Sequence, residues 1–316
     1  MSLDALKTLV GRWWPTLGAV VGVVGYLLWR QLVPDLPSRL FPLLPDSHGL
    51  YVYVDVGTVR QAVRFADPAD VPGWELIDRR GSFAPHRAFL SNADIDGAAI
   101  SVGEHELRAV LSGRFTAPAL KAHIEQQGGR CSATPQGLTC SIESVKADTQ
   151  LRLRGTNVLE IIDRSPLAGR PTDSGDASFL AVPARQSIRD GAVVWMALQP
   201  TRLEAVMKDP PRDMMNLTLF ARALRQATWA YATLGYSAVQ SALQLDMEAF
   251  AQTTDDAEEM HRVIAGLNQL VIAAMDREST TPSPWAQVLR TAEFAQQDTT
   301  VVGTWQIDPA LLATRP

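Results

Sequence analysis

Residues 49–63 read GLYVYVDVGTVRQAV and residues 191–206 read GAVVWMALQPTRLEAV, and these two stretches agree feature by feature. Each opens on a glycine, runs through an apolar, β-prone strand and reaches a threonine placed to cap a helix. Thr58 is followed three residues later by Gln61, and Thr201 by Glu204, the spacing of a capping box. Ala62-Val63 then answers Ala205-Val206. Such agreement about 140 residues apart is the mark of an internal duplication.

The segments that follow keep the same order. AAISVGEHELRAVLSGRF, residues 98–115, reads as a hairpin running into the helix TAPALKAHIEQQ. YATLGYSAVQSALQLDMEAFAQ, residues 231–252, likewise runs into TTDDAEEMHRVIAGLNQLVIAAM. More strand material closes each half: RCSAT, LTCSIES and TQLRLRG in the first, TTVVGTWQI in the second. The expected plan is α+β, two tandem ferredoxin-like (split βαβ) units, with an extra helix around Leu217 to Trp229 in the second. Residues 165–178, SPLAGRPTDSGDAS, hold the boundary, giving units over 48–170 and 171–316.

Ahead of the duplication, residues 13–29 form an apolar run bounded by Arg12 and Arg30. At about 1.5 Å per helical residue it nearly matches a hydrocarbon core of about 30 Å. Trp13, Trp14, Tyr26 and Trp29 stand where interfacial aromatics belong. No small-residue cleavage site follows, so a retained transmembrane helix is expected rather than a removed signal, with residues 1–30 as cytoplasmic tip and span. A buried helix of a soluble domain is the alternative. Lys7 and Arg12 favour an N-terminus in the cytoplasm, which makes this an inner-membrane, single-pass protein with its bulk periplasmic or otherwise extracytoplasmic. Gly11, Gly18, Gly22 and Gly25 fall within an arc of about 60° on such a helix. That stripe, with G-x-x-x-G at Gly18 and Gly22, is a packing face for another membrane helix. Residues 31–47 then form a linker with prolines at 34, 37, 42 and 45. Being apolar and proline-stiffened, it lies against lipid, its own domain or a partner.

The two cysteines, Cys131 and Cys140, flank Pro135-Gln136-Gly137. A hairpin turning there brings them face to face, near enough for a disulfide. That bond suits an oxidising compartment. Two free buried thiols are the alternative, and two cysteines without an adjacent histidine do not make a zinc site.

Leu44, Pro45, Tyr51, Val52, Val54 and Asp55, together with the repeat, resemble a loose group of uncharacterised bacterial single-span (bitopic) proteins with duplicated ferredoxin-like extracytoplasmic α+β units. The resemblance implies a periplasmic or cell-surface location and no reaction. Bitopic assembly proteins of pili and secretion machines are similar in outline, although a proline-rich linker here replaces their coiled coil.

Chemistry is sparse. The histidines at 48, 86, 105, 123 and 261 have no close ligand spacing, and no phosphate loop, nucleophile elbow or covalent-haem motif occurs. Lys+Arg 29 against Asp+Glu 34 gives a net charge of −5, which offers nothing to a nucleic acid. Asn92, Asp94, Asp96 and Gly97 copy the first half of a calcium loop, but Gly103 occupies the place of the closing glutamate, and Glu104 comes one residue late. Thr253 to Glu259, TTDDAEE, reads as a capped helix start rather than a metal cluster. Asp55 stands alone on the polar side of its strand. No metal, cofactor or catalytic residue is expected. The leading reading is a non-enzymatic membrane-anchored accessory or scaffold subunit that docks on integral membrane subunits and the lipid bilayer. The alternative is an anchored ligand- or lipid-binding module, and an anchored hydrolase, which lacks a recognisable nucleophile and base, stands third.

Overall fold

The computed structural model describes residues 39–45, 48–58, 86, 89–90, 94–103, 106–135, 137–143, 148–164, 192–201, 224–237, 242–278 and 284–308. The chain divides into two units, Met1–Arg39 and Leu40–Pro316. In the second unit, twelve strands make one antiparallel sheet. The first seven are β1 (Leu50–Val54), β2 (Asp94–Val102), β3 (Glu106–Arg114), β4 (Arg130–Thr134), β5 (Gly137–Glu143), β6 (Asp148–Arg154) and β7 (Val158–Arg164). The rest are β8 (Ala192–Leu198), β9 (Ala227–Ser237), β10 (Ala242–Ala251), β11 (Glu293–Gln297) and β12 (Thr300–Ile307). Their spatial order is β11-β12-β10-β9-β8-β1-β2-β3-β7-β6-β5-β4.

The ferredoxin-like expectation is wrong, and the pairings show why. A ferredoxin-like unit needs its first two strands parallel, with a third strand between them. Here β1 lies antiparallel and directly beside β2. Its other edge is taken by β8, the equivalent strand of the second half, so the duplication builds one continuous sheet and not two separate ones. Tyr53 pairs with Trp195, and these are the matching positions when the halves are aligned from Gly49 and Gly191. A local two-fold axis therefore passes through that pair.

Alternation sorts the side chains onto two faces. Face one carries Val52, Val54, Ile100, Leu111, Leu151 and Leu159 in the first half and Leu198, Met247, Val301 and Trp305 in the second. Among the described residues, three helices pack there: α1 (Ala117–Gln126), α2 (Thr254–Glu278) and α3 (Pro284–Arg290). Leu120 and Ile124 seat α1, while Ala257, Met260 and Ile264 seat α2. Asn268 donates to the Leu289 carbonyl at 2.9 Å and ties α2 to α3.

Local details also depart from expectation. The cap after β1 is Asp55, not Thr58. Its carboxylate accepts from the Thr58 backbone N–H and from the Thr58 hydroxyl, both at 2.9 Å. After β8 the helix begins at Pro200, so Thr201 lies inside it, where a first-turn proline is well suited. Ala227 to Trp229, expected to be helical, belong to β9. Residues 165–178, expected to hold the boundary, lie outside the described residues.

Single-pass anchorage in the inner membrane is contradicted as well: among the described residues no helix is long and apolar enough to cross a membrane. That expectation rests wholly on the hydropathy of residues 13–29, which lie outside the described residues.

Candidate functional site

The opposite face of the sheet is covered over its centre by the chain's own linker. Leu40, Phe41 and Leu44 are buried, and Phe41 meets Trp195 edge-on at 5.1 Å and Tyr53 at 6.1 Å. The segment carries a single 3-10 turn, Phe41–Leu43, with Pro42 in its first turn and closed by the Leu44 N–H on the Phe41 carbonyl, so the remaining polar groups need individual partners. Tyr51 donates to the Pro45 carbonyl at 2.7 Å and accepts from the His48 N–H at 3.2 Å. His48 Nδ1 lies 2.8 Å from Ser101 Oγ. Arg108 donates to the Leu43 carbonyl at 3.2 Å while a second edge of its guanidinium grips Glu106 at 2.7 Å. Of the three surfaces open to the linker, residues 40–45 thus use their own domain.

Glu106 also accepts from Arg164 at 2.9 Å. Burial opposes its ionisation, but the Arg164 hydrogen bond and the adjacent Arg108 charge win and hold the carboxyl below its usual range. One carboxylate flanked by two guanidiniums is an internally compensated support rather than a proton-transfer group. Further along β7, Glu160 is 1 % exposed. Its Oε1 lies 2.7 Å from Arg154 Nε in an ion pair not aligned as a hydrogen bond, and Oε2 has no hydrogen-bond partner. Across the second half, Tyr231 is pushed up to about 12, by burial first and by the Glu248 charge second.

Sequence spacing misses one pair of histidines. His86, ahead of β2 in the chain, meets His123 on α1, with His86 Nδ1 3.0 Å from His123 Nε2. The Gln127 amide lies 3.3 Å from the same Nε2, and Phe89 stacks on the His123 ring at 5.1 Å. Burial first, then the neighbouring His123, pull His86 down to about 4, and burial lowers His123 as well. Two neutral imidazoles sharing one proton form a structural hydrogen bond, and no group of three metal-ligating side chains occurs among the described residues. A cleft of about 260 Å³ opens beside the β4–β6 edge, lined by Thr139, Gln150, Arg152 and Arg154 among others.

Gly11, Gly18, Gly22 and Gly25 lie outside the described residues. Cys131 and Cys140 sit directly opposite each other on β4 and β5 and are joined by a disulfide, their Cα atoms 4.0 Å apart. Asp94 opens β2, and the register shifts between Ile95 and Gly97; this stretch is a bulged strand rather than a calcium loop. At the start of α2, Thr253 Oγ1 accepts from the Asp256 N–H at 3.1 Å, so TTDDAEE is a helix cap.

The surface that remains unexplained is the outward face of α2. Its inner stripe is already committed to the core through Met260, Ile264 and Ile272. Yet Val263 is 37 % and Leu270 61 % exposed on the opposite side, and Gly266, Ala273 and Ala274 beside them are exposed too. The stretch VIAGLNQLVIAAM, residues 263–275, is apolar nearly all round. A helix needing only to cover a sheet keeps its outer face polar, so this second apolar stripe demands a reason.

The fold and these sites define a protein built on one twelve-stranded antiparallel sheet, with α1, α2 and α3 on one face and no recognised catalytic constellation among the described residues. No protein-family model matches the chain, and no curated protein matches it. Among solved structures it is similar to TP0453 in crystal form III, at 12 % identity and a TM-score of 0.47, covering 89 % of this chain and 97 % of that one. It is similar also to TP0453 in crystal form IV, at 10 % identity and a TM-score of 0.41, covering 84 % and 93 %.

Proposed function

We propose that this chain is a non-enzymatic accessory or scaffold protein whose work is to dock a protein partner on the outward face of α2. The observation that supports this is the exposed Val263–Leu270 stripe on a helix whose other face is already anchored. Exposed apolar surface of this kind costs solubility unless something covers it. The charged groups elsewhere are consistent with the reading, because Glu106 is neutralised within the fold by Arg108 and Arg164. The test is affinity capture of a tagged full chain from native cells that also make the untagged chain, with every co-purifying protein, the untagged copy included, quantified by mass spectrometry for wild type against Leu270→Glu. Leu270 is largely exposed, so the variant keeps its fold. The stoichiometric partner is expected to fall at least tenfold. Unchanged recovery of every co-purifying protein would refute the proposal.

A further inference from the structure

We infer that the partner on α2 is a second copy of this chain, packed antiparallel about a two-fold axis through Gly266; this rests on the docking reading above. Gly266 sits at the centre of the exposed stripe, and a Cβ added there would meet nothing within 4 Å, so a neighbouring backbone has room to approach closely. At 3.6 residues per turn, Asp255, Glu259, Arg262, Val263, Leu270, Ala273 and Arg277 all lie within about 60° of Gly266. The charges on this line are arranged end to end. Asp255 comes eleven residues before Gly266 and Arg277 eleven after it, and both are exposed.

Antiparallel packing about Gly266 sets Asp255 of each copy against Arg277 of the other, twice over by symmetry. Parallel packing would instead set Asp255 against Asp255 and Arg277 against Arg277, so the charges select one orientation. Neither side chain forms an ion pair among the described residues. The nearby charges are otherwise engaged: Arg262 binds Glu258 and Glu259, and Arg290 binds Asp276. Between the ends, Leu270 lies against Val263 and the aliphatic stem of Arg262 in the opposing helix. A contact made by one pair of helices is smaller than the ~1,200 Å² typical of stable complexes, so the dimer is concentration-dependent and weakens with salt.

The full chain with Gly266→Cys tests the geometry. Its two native cysteines are already joined, leaving one reactive thiol, and cysteine is no worse in a helix than glycine. Under mild oxidation this variant is expected to form a covalent dimer. Leu270→Cys should cross-link far less, because its two copies stand about 12 Å apart along the axes. Asp255→Cys and Arg277→Cys chains should link to each other when mixed and neither to itself, and Leu270→Glu placed in the Gly266→Cys chain should abolish its dimer. No dimer from Gly266→Cys, or equal yields at all positions, overturns the inference. A covalent adduct with a different polypeptide overturns self-association while leaving the docking reading in place. No adduct of any kind, together with capture indifferent to Leu270→Glu, ends both.

Discussion

Trp195→Ala should unfold both halves of the molecule together. Trp195 is fully buried, pairs with Tyr53 at the centre of the sheet, and touches Phe41 at 5.1 Å and Tyr231 at 6.1 Å. A tryptophan buries roughly 200 Å², which at about 25 cal/mol per Å² is about 5 kcal/mol, less about 1 kcal/mol for the Cβ that alanine retains. The remaining ~4 kcal/mol agrees with the usual cost of truncating a buried aromatic. For a domain of this size it lowers Tm by roughly 10 °C. Urea titration monitored by amide hydrogen exchange separates the possibilities: protection in β3, on one side of the join, and in β10, on the other, should be lost in a single transition at a lower midpoint. Trp195→Phe keeps an aromatic contact to Phe41 and should lose less than half as much. A loss under about 1 kcal/mol, or one confined to β8–β12 while β3 keeps its midpoint, would refute the joined-sheet reasoning.

Reducing the Cys131–Cys140 bond, which closes a short loop, should lower stability by about 2–3 kcal/mol, read as a shift in urea midpoint with and without reductant. Gly137 has φ +135°, and a Cβ there would collide with the Leu153 carbonyl oxygen, so Gly137→Ala should cost at least about 2 kcal/mol. Gly128→Ala, with φ +77° and nothing within 4 Å, should cost only about 1 kcal/mol; equal midpoints for the two variants would count against the turn geometry. Because His86 is held down to about 4, the unfolded chain binds a proton between pH 6.5 and 4 that the folded chain refuses. Stability is therefore full above pH 6.5 and falls as pH drops, by up to about 3 kcal/mol. Denaturation series from pH 7 to pH 4.5 should show this slope in wild type and a shallower one in His86→Asn; matching slopes would remove the buried pair from the explanation.

The order of elements is largely legible in the sequence, because period-2 alternation marks β1, β5 and β6, and the run of Met260, Ile264 and Ile272 marks α2. Pairing is not. Alternation says that a strand has two faces, not which strands lie beside it, and nothing in LYVYV tells β8 from a ferredoxin-like neighbour. β7 escapes notice since VLEIIDR hides two buried carboxylates, Glu160 and Asp163, in what reads as a half-polar segment. Asp55 reads as part of the strand because the threonine-to-glutamine spacing at Thr58 matches a capping box, and two valid local patterns compete within four residues. His86 and His123 are 37 residues apart, beyond any motif, and only the packing of α1 brings them together. The outward stripe of α2 goes unread because VIAGLNQLVIAAM passes as an ordinary helix, although its apolar residues outnumber those one helix face can hold.

The duplicated halves share one sheet through β1 and β8, and an engineered cross-strand disulfide reports on that join. The Asp55 N–H bonds to the Val193 carbonyl and the Gln199 N–H to the Gly49 carbonyl. This pattern makes Val52 and Met196, which are register partners, a non-hydrogen-bonded pair with Cα atoms about 4.5 Å apart. That is a spacing a disulfide spans. In the double variant Val52→Cys, Met196→Cys, peptide mapping by mass spectrometry should find residues 52 and 196 linked in the folded protein, alongside the native bond. Two free thiols at these positions, with the native disulfide intact and the fold retained, would contradict the account.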